Sequence, residues 1–309
     1  MRITIASILS VTLLLATGQD QTAQSGQGGY EKRSPPSVSA EAQAEMEAQL
    51  KEAQAQYAAN PKSADALIWV GRRLAYLGRF TEAIETYTKG IALFPSDARF
   101  FRHRGHRWIT LRRFDRAISD FEKAARLIKG EPDEIEPDGQ PNARNIPTST
   151  LQFNIWYHLG LAYYLNRQKQ QALRAYRECL KVSDSPDRLV STTHWLYMTL
   201  RRLNREREAA KVLEPIHEGM DIIENDSYYR LCLMYKGLVS ADQLLQETTK
   251  QPHSPATLSI LYGIANWHSY NGRQAQAFEI FRGILGSKHW TSFGYIAAEV
   301  DTPFKLKRT

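Results

Sequence analysis

Cysteine is nearly missing from this chain: Cys179 and Cys232 are the only two in 309 residues. That excludes a scaffold stapled by several disulfides. Both fall inside helical patterns, where a thiol packs as a small apolar side chain. Runs of Val and Ile are scarce as well, which leaves little from which to build a sheet. After the first residues, no stretch is long and apolar enough to cross a bilayer. Glycine-rich phosphate loops, G-x-S-x-G and H-E-x-x-H are all absent. The eight histidines have no Cys pair or Asp/Glu cluster beside them to complete a metal site. Paired carboxylates occur only at 131–138, in a Pro-containing stretch that would not fix their separation. A non-enzymatic chain without cofactor or metal is the expectation. The formal charge of +7 invites a nucleic-acid reading, but no basic strand interleaved with aromatics and no finger motif is present, so no nucleic-acid partner is expected.

What is there is helix-forming. Ala, Leu, Arg, Gln and Glu dominate, and 42% of residues are hydrophobic, enough for a packed core. At the start, Met1-Arg2 places a positive charge ahead of an apolar run from Ile3 to Ala16, followed by Thr17 and Gly18. A basic, then apolar, then small-residue order is that of a secretory signal. The chain is expected to be exported, periplasmic or secreted, after cleavage near Gly18, with no transmembrane segment in the mature form. An uncleaved anchor is the alternative use of the same residues. Residues 19–38 are rich in Gln, Gly, Ser and Pro, and are expected to be a disordered linker.

An internal repeat organises the rest. Gly71, Gly105 and Gly160 are each followed twelve residues later by alanine, at Ala83, Ala117 and Ala172. Four residues further comes an aromatic, Tyr87, Phe121 or Tyr176, and three beyond that a small side chain, Gly90, Ala124 or Cys179. Spacings of four and three keep these positions on one helical face. Small residues let two antiparallel helices approach, and the aromatic fills the space beside them. Gly78 is expected to make the turn between the helices, with Thr81 and Asp115 as N-caps of the second ones.

These slots resemble the tetratricopeptide repeat. The segment LIWVGRRLAYLGRFTEAIETYTKGIALFP (67–95) is similar almost throughout, and 156–180 carries the W-x-x-L-G-x-x-Y core at Trp156, Leu159, Gly160 and Tyr163. The second copy, 99–129, departs from it with Arg104 and Trp108 where Leu and Tyr are usual. The resemblance implies an all-α protein, a right-handed α-solenoid of about six hairpins over 39–299. It comprises a leading helix 39–59, strong repeats 64–130 and 151–183, an insertion at 130–150 and degenerate repeats 184–299, before a tail at 300–309.

The resemblance also implies a binding surface, since the first helices of such hairpins line a concave wall. Translated along the repeat, that wall holds Arg72 from the first hairpin, then Arg99, Arg102 and His106, then Asn154, Tyr157 and Tyr164. Arginine forks favour carboxylates and phosphates, and tyrosines give contact area with a polar tip. Arg104, Arg107, Arg112 and Arg113 are assigned to solvent or to contacts between repeats. The Lys/Asn clamp with which some relatives hold a C-terminal carboxylate is not reproduced: Ile68, Arg72, His103, Asn154 and His158 occupy those slots.

The insertion carries Glu131, Asp133, Glu134, Glu136 and Asp138 beside this basic wall. It is either a solvated loop or an acidic segment folded over the wall as an internal competitor. The C-terminal half, around YYRLCLMYKGLVSADQLL and YGIANWHSYNGRQAQAFEIFRGIL, is faintly similar to exported bacterial repeat lipoproteins that scaffold wall hydrolases and a protease, though it lacks their lipid-bearing cysteine. The expected function is a protein-binding adaptor of the bacterial cell envelope, taking a protein or peptide with an acidic segment. The alternative is a binder of an anionic envelope polymer or carbohydrate.

Overall fold

The computed structural model describes residues 29–30, 33–34, 38–250 and 253–302. The expected signal segment 1–18 and residues 303–309 of the expected tail lie outside them. Fourteen helices make up the described residues, with no strand among them beyond one isolated bridge, Ile135 with Thr150. A leading helix α1 (Ala40–Ala59) lies against α2 (Ala64–Tyr76), which pairs with α3 (Phe80–Leu93). Next come α4 (Ala98–Thr110) with α5 (Phe114–Leu127), then α6 (Leu151–Leu165) with α7 (Lys169–Lys181), and α8 (Pro186–Arg202) with α9 (Glu206–Val212). Two short helices, α10 (Asp226–Lys236) and α11 (Ala241–Thr249), precede α12 (Pro255–Tyr270) and α13 (Gln274–Leu285). The chain is an all-α solenoid of helical hairpins, ended by α14 (Phe293–Asp301). This helix runs two residues beyond 299, into the expected tail.

The repeated slots pack as their spacing requires. A Cβ on Gly71 would come 2.3 Å from Cε1 of Tyr87, one on Gly105 2.9 Å from Cε2 of Phe121, and one on Gly160 2.6 Å from Cε1 of Tyr176. Ala83, Ala117 and Ala172 are fully buried beneath the same crossings. Cys179 and Cys232 are buried, unpaired thiols in this core.

The turns differ from expectation. Thr81 and Asp115 are not N-caps; both lie within the first turns of α3 and α5. The capping positions are Arg79 and Arg113, and neither makes a side-chain cap bond. The residue before each is left-handed, Gly78 at φ 74° and Arg112 at φ 57°. This lets the next backbone N–H reach back into the first helix, Arg79 N to Leu74 O at 2.9 Å and Arg113 N to Trp108 O at 2.8 Å. Arg167, Asn204 and Gly272 repeat the left-handed turn. Side-chain caps appear instead at the starts of first helices, from Ser63, Asp97, Thr150 and Ser185.

The last helix returns to the early repeats. α14 packs on α12 and α13 and also reaches α6. Arg112, in the turn between α4 and α5, donates to Glu299 Oε2 at 2.8 Å and to Trp290 O at 2.7 Å. Arg167, in the next turn, donates to Val300 O at 2.8 Å. Arg202, at the end of α8, forms a fork on Asp301 at 2.8 and 2.6 Å. Residues of the expected disordered linker join this closure. Tyr30 stacks near Trp290, its ring lies under the Arg112 guanidinium, and its hydroxyl donates to Glu299. Trp290 Nε1 donates to Ser34 O at 2.9 Å. Those residues are docked because Trp290 offers them an aromatic face that composition alone does not reveal.

Candidate functional site: a guanidinium cluster under an acidic strap

Helices α2 and α4 bring three guanidinium groups into one another's electrostatic field: Arg72, Arg102 and Arg107. Arg72 stacks over the Trp69 ring at 4.4 Å and donates to Tyr76 Oη at 3.2 Å. Arg102 pairs with Glu136 Oε1 at 2.9 Å and donates to His103 Nδ1 at 3.0 Å, while its Nε has no hydrogen-bond partner among the described residues. Arg107 lies over Phe80 at 5.7 Å and forms no salt bridge among the described residues. Burial, which disfavours the charged form, pulls Arg102 and Arg107 below the usual guanidinium range; Glu136 works against this at Arg102. Sequence reasoning assigned Arg107 to solvent and inter-repeat contacts. It missed this placement because position 107 lies five residues after Arg102, off the four-residue row.

The insertion supplies the acid. Glu136 links the cluster to α6, with Oε1 on Arg102 and Oε2 accepting from Asn154 Nδ2 at 3.0 Å. Asn154 also donates to Ser149 Oγ at 3.1 Å. The acidic segment therefore does lie over the basic wall. A cavity of about 290 Å³ remains between it and the helices, lined by Trp69, Arg72, Arg99 and His103 on one side and Ile135 and Glu136 on the other.

The remaining predicted residues divide into three groups. Arg99 is half-exposed at the cavity rim and is already engaged by Asp97, at 2.6 Å, and by Asp65, its own counterpart one repeat earlier. His106 packs at a tilt on His158, with ring centroids 4.6 Å apart, and on Phe293 of α14, at 5.4 Å, so the closing helix covers it. Burial holds His158 down at about 3, and its Nδ1 bonds Asn154 O at 2.6 Å. Burial likewise pushes His103 and His106 well below the usual imidazole range, with neighbouring cations adding to it. Tyr157 and Tyr164 correct the expected open aromatic wall, because both are buried. Tyr157 bonds Tyr228 Oη at 3.3 Å and accepts from Trp195 Nε1 at 2.8 Å. Tyr164 bonds Tyr262 Oη at 2.9 Å and accepts from Asn266 Nδ2 at 3.2 Å. The helices of later repeats fill the space into which these rings were expected to open. No group of three His, Cys, Asp or Glu side chains able to hold a metal occurs among the described residues.

Tetratricopeptide-repeat models match residues 40–98, 71–132 and 153–185, so the hairpins over these residues are tetratricopeptide repeats. Such repeats form protein-interaction scaffolds. Among solved structures, YrrB, a TPR protein with an unusual peptide-binding site, is 14% identical with a TM-score of 0.44, covering 82% of this chain and 94% of that one. MamA is also 14% identical with a TM-score of 0.44, covering 64% of this chain and 95% of that one. No curated protein matches the chain.

Proposed function

We propose that this chain is a non-catalytic adaptor of the bacterial cell envelope that holds an acidic segment of a partner protein against the Arg72, Arg102 and Arg107 cluster. The observation that carries this is the charge imbalance of the inner wall. Three guanidinium groups share one field, and among the described residues only Arg102 is in a salt bridge. Glu136 and Asn154 show how a carboxylate is received there: one oxygen on a guanidinium, the other on an amide. The basic-then-apolar start of the sequence supports export. The anionic-polymer alternative gains less support, since the cavity beside the cluster is small and covered, which suits one carboxylate-bearing side chain or terminus better than a long strand.

The test is a pull-down from envelope extract with wild type, Arg102→Glu and Arg107→Gln. The last variant breaks no ion pair among the described residues. A discrete protein retained by wild type and lost from both variants is expected. Retention only on a polyanion resin, reversed by salt, would overturn the adaptor reading in favour of the polymer.

A further inference from the structure

We propose that the insertion is a displaceable strap whose Glu136 occupies the seat of a partner's carboxylate, so that the guanidinium cluster binds only when the strap lifts. This rests on the reading of the inner wall as an acidic-segment site and adds its regulation. The first support is what the strap lacks. Between Glu131 and Ser149 only Thr148 is buried, and Ile135 and Ile146 point their apolar side chains to solvent. A segment without apolar burial sits at the low-stability end of a fold and opens locally. Its ladder is one isolated bridge with two backbone bonds, Glu136 N to Ser149 O at 3.1 Å and Leu151 N to Glu134 O at 2.8 Å. Farther out, the strap is tied down by polar contacts alone. Arg73 donates to Gly139 O at 3.1 Å, Arg144 pairs with Asp221 at 2.7 Å in full exposure, and Asn142 and Thr148 bond Glu224.

The second support is the seat itself. Of all the strap carboxylates, only Glu136 forms a salt bridge with the cluster, and the 290 Å³ cavity lies directly beside it. An incoming carboxylate that takes the Arg102 and Asn154 hydrogen bonds leaves Glu136 free to turn into solvent. The exchange conserves charge in the chamber, so Arg102 has a carboxylate partner both before and after it. The third support is a close approach. A Cβ on Gly139 would come 1.8 Å from Tyr76 Oη, the hydroxyl that accepts from Arg72. A bulky side chain at 139 closes only if the Tyr76 ring gives way, which offers a way to open the strap without altering any charge.

The experiment uses the full chain lacking 1–18 and a fluorescein-labelled hexaglutamate peptide read by anisotropy. Glu136→Gln removes the internal carboxylate, and Gly139→Val obstructs closure while leaving every charge in place. Both are expected to bind the peptide about tenfold more tightly than wild type, the gain available when a competing closed state is removed. Saturating peptide is expected to speed trypsin cleavage after Arg144 in wild type. Thermal melts of each variant keep the comparison to folded protein, and Gly139→Val decides if Glu136→Gln does not fold. If both variants bind no tighter while Arg107→Gln still weakens binding, the strap is a fixed part of the wall and this inference fails alone. If Arg107→Gln changes nothing, or no variant binds, the site reading fails with it.

Discussion

Gly160 has no room for a methyl group: its Cβ would overlap the Tyr176 ring at 2.6 Å, and that ring is itself fully buried. Overpacking at such a crossing costs about 1–3 kcal/mol. Gly160→Ala is thus expected to lower stability by that amount in urea unfolding, and a change within about 0.5 kcal/mol would mean that the two helices are not held together by this contact. Contacts of this kind were legible in the sequence because they are local: glycine, alanine and aromatic recur at fixed spacing within one hairpin. The fate of Tyr157 and Tyr164 was not legible. Their helix face was correctly placed, but the groups that cover them, Trp195, Tyr228 and Tyr262, lie 38 to 98 residues further on, and nothing in the spacing announces them. Arg107 and Glu136 belong to the same class, since their neighbours come from other elements.

Helix positions were legible from the repeat, whereas helix starts were misjudged wherever the turn itself satisfies the backbone. The left-handed turns at Arg112 and Arg167 show a further role that no pattern predicts. A left-handed conformation costs a non-glycine residue roughly 1–2 kcal/mol, which Gly78 avoids in the equivalent slot. Arg112 returns that energy through a buried pair with Glu299; among the described residues the Arg167 side chain has one exposed bond, to Val300 O. Glycine at each position separates the two cases. Arg112→Gly relieves the turn but leaves Glu299 without a cation, with only its Tyr30 hydrogen bond remaining, and breaking a buried pair costs about 3–5 kcal/mol. The expected net loss is about 1–4 kcal/mol. Arg167→Gly is expected to lie within about 1 kcal/mol of wild type, because the relief offsets a hydrogen bond worth about 0.5–1.5 kcal/mol. Chemical denaturation of the two variants measures both, and equal losses would show that the arginine side chains do not distinguish these turns.

Over the whole molecule, the feature that sets this array apart is its closure. In an open stack each repeat touches only its neighbours, and stability is close to a sum of neighbour terms. Here the second, third and fourth hairpins all hold the final helix, through Arg112, Arg167 and Arg202. The full chain is therefore expected to unfold in one urea transition, seen alike by tryptophan fluorescence and far-UV circular dichroism. A chain ended at Gly286 is expected to show separated transitions. Coincident curves for the shortened chain would mean that α14 contributes nothing to cooperativity.

Closure also constrains the order of events during biosynthesis. Arg112 meets Trp290 and Glu299 at sequence separations of 178 and 187 residues. Contacts that distant form late, since the intervening chain must first be brought together. Translation delivers the acid of this pair long after the arginine, so a nascent chain halted before Trp290 carries Arg112 in a left-handed turn without its distant partners. The second hairpin is thus among the first to be synthesised and is completed only once α14 has been made.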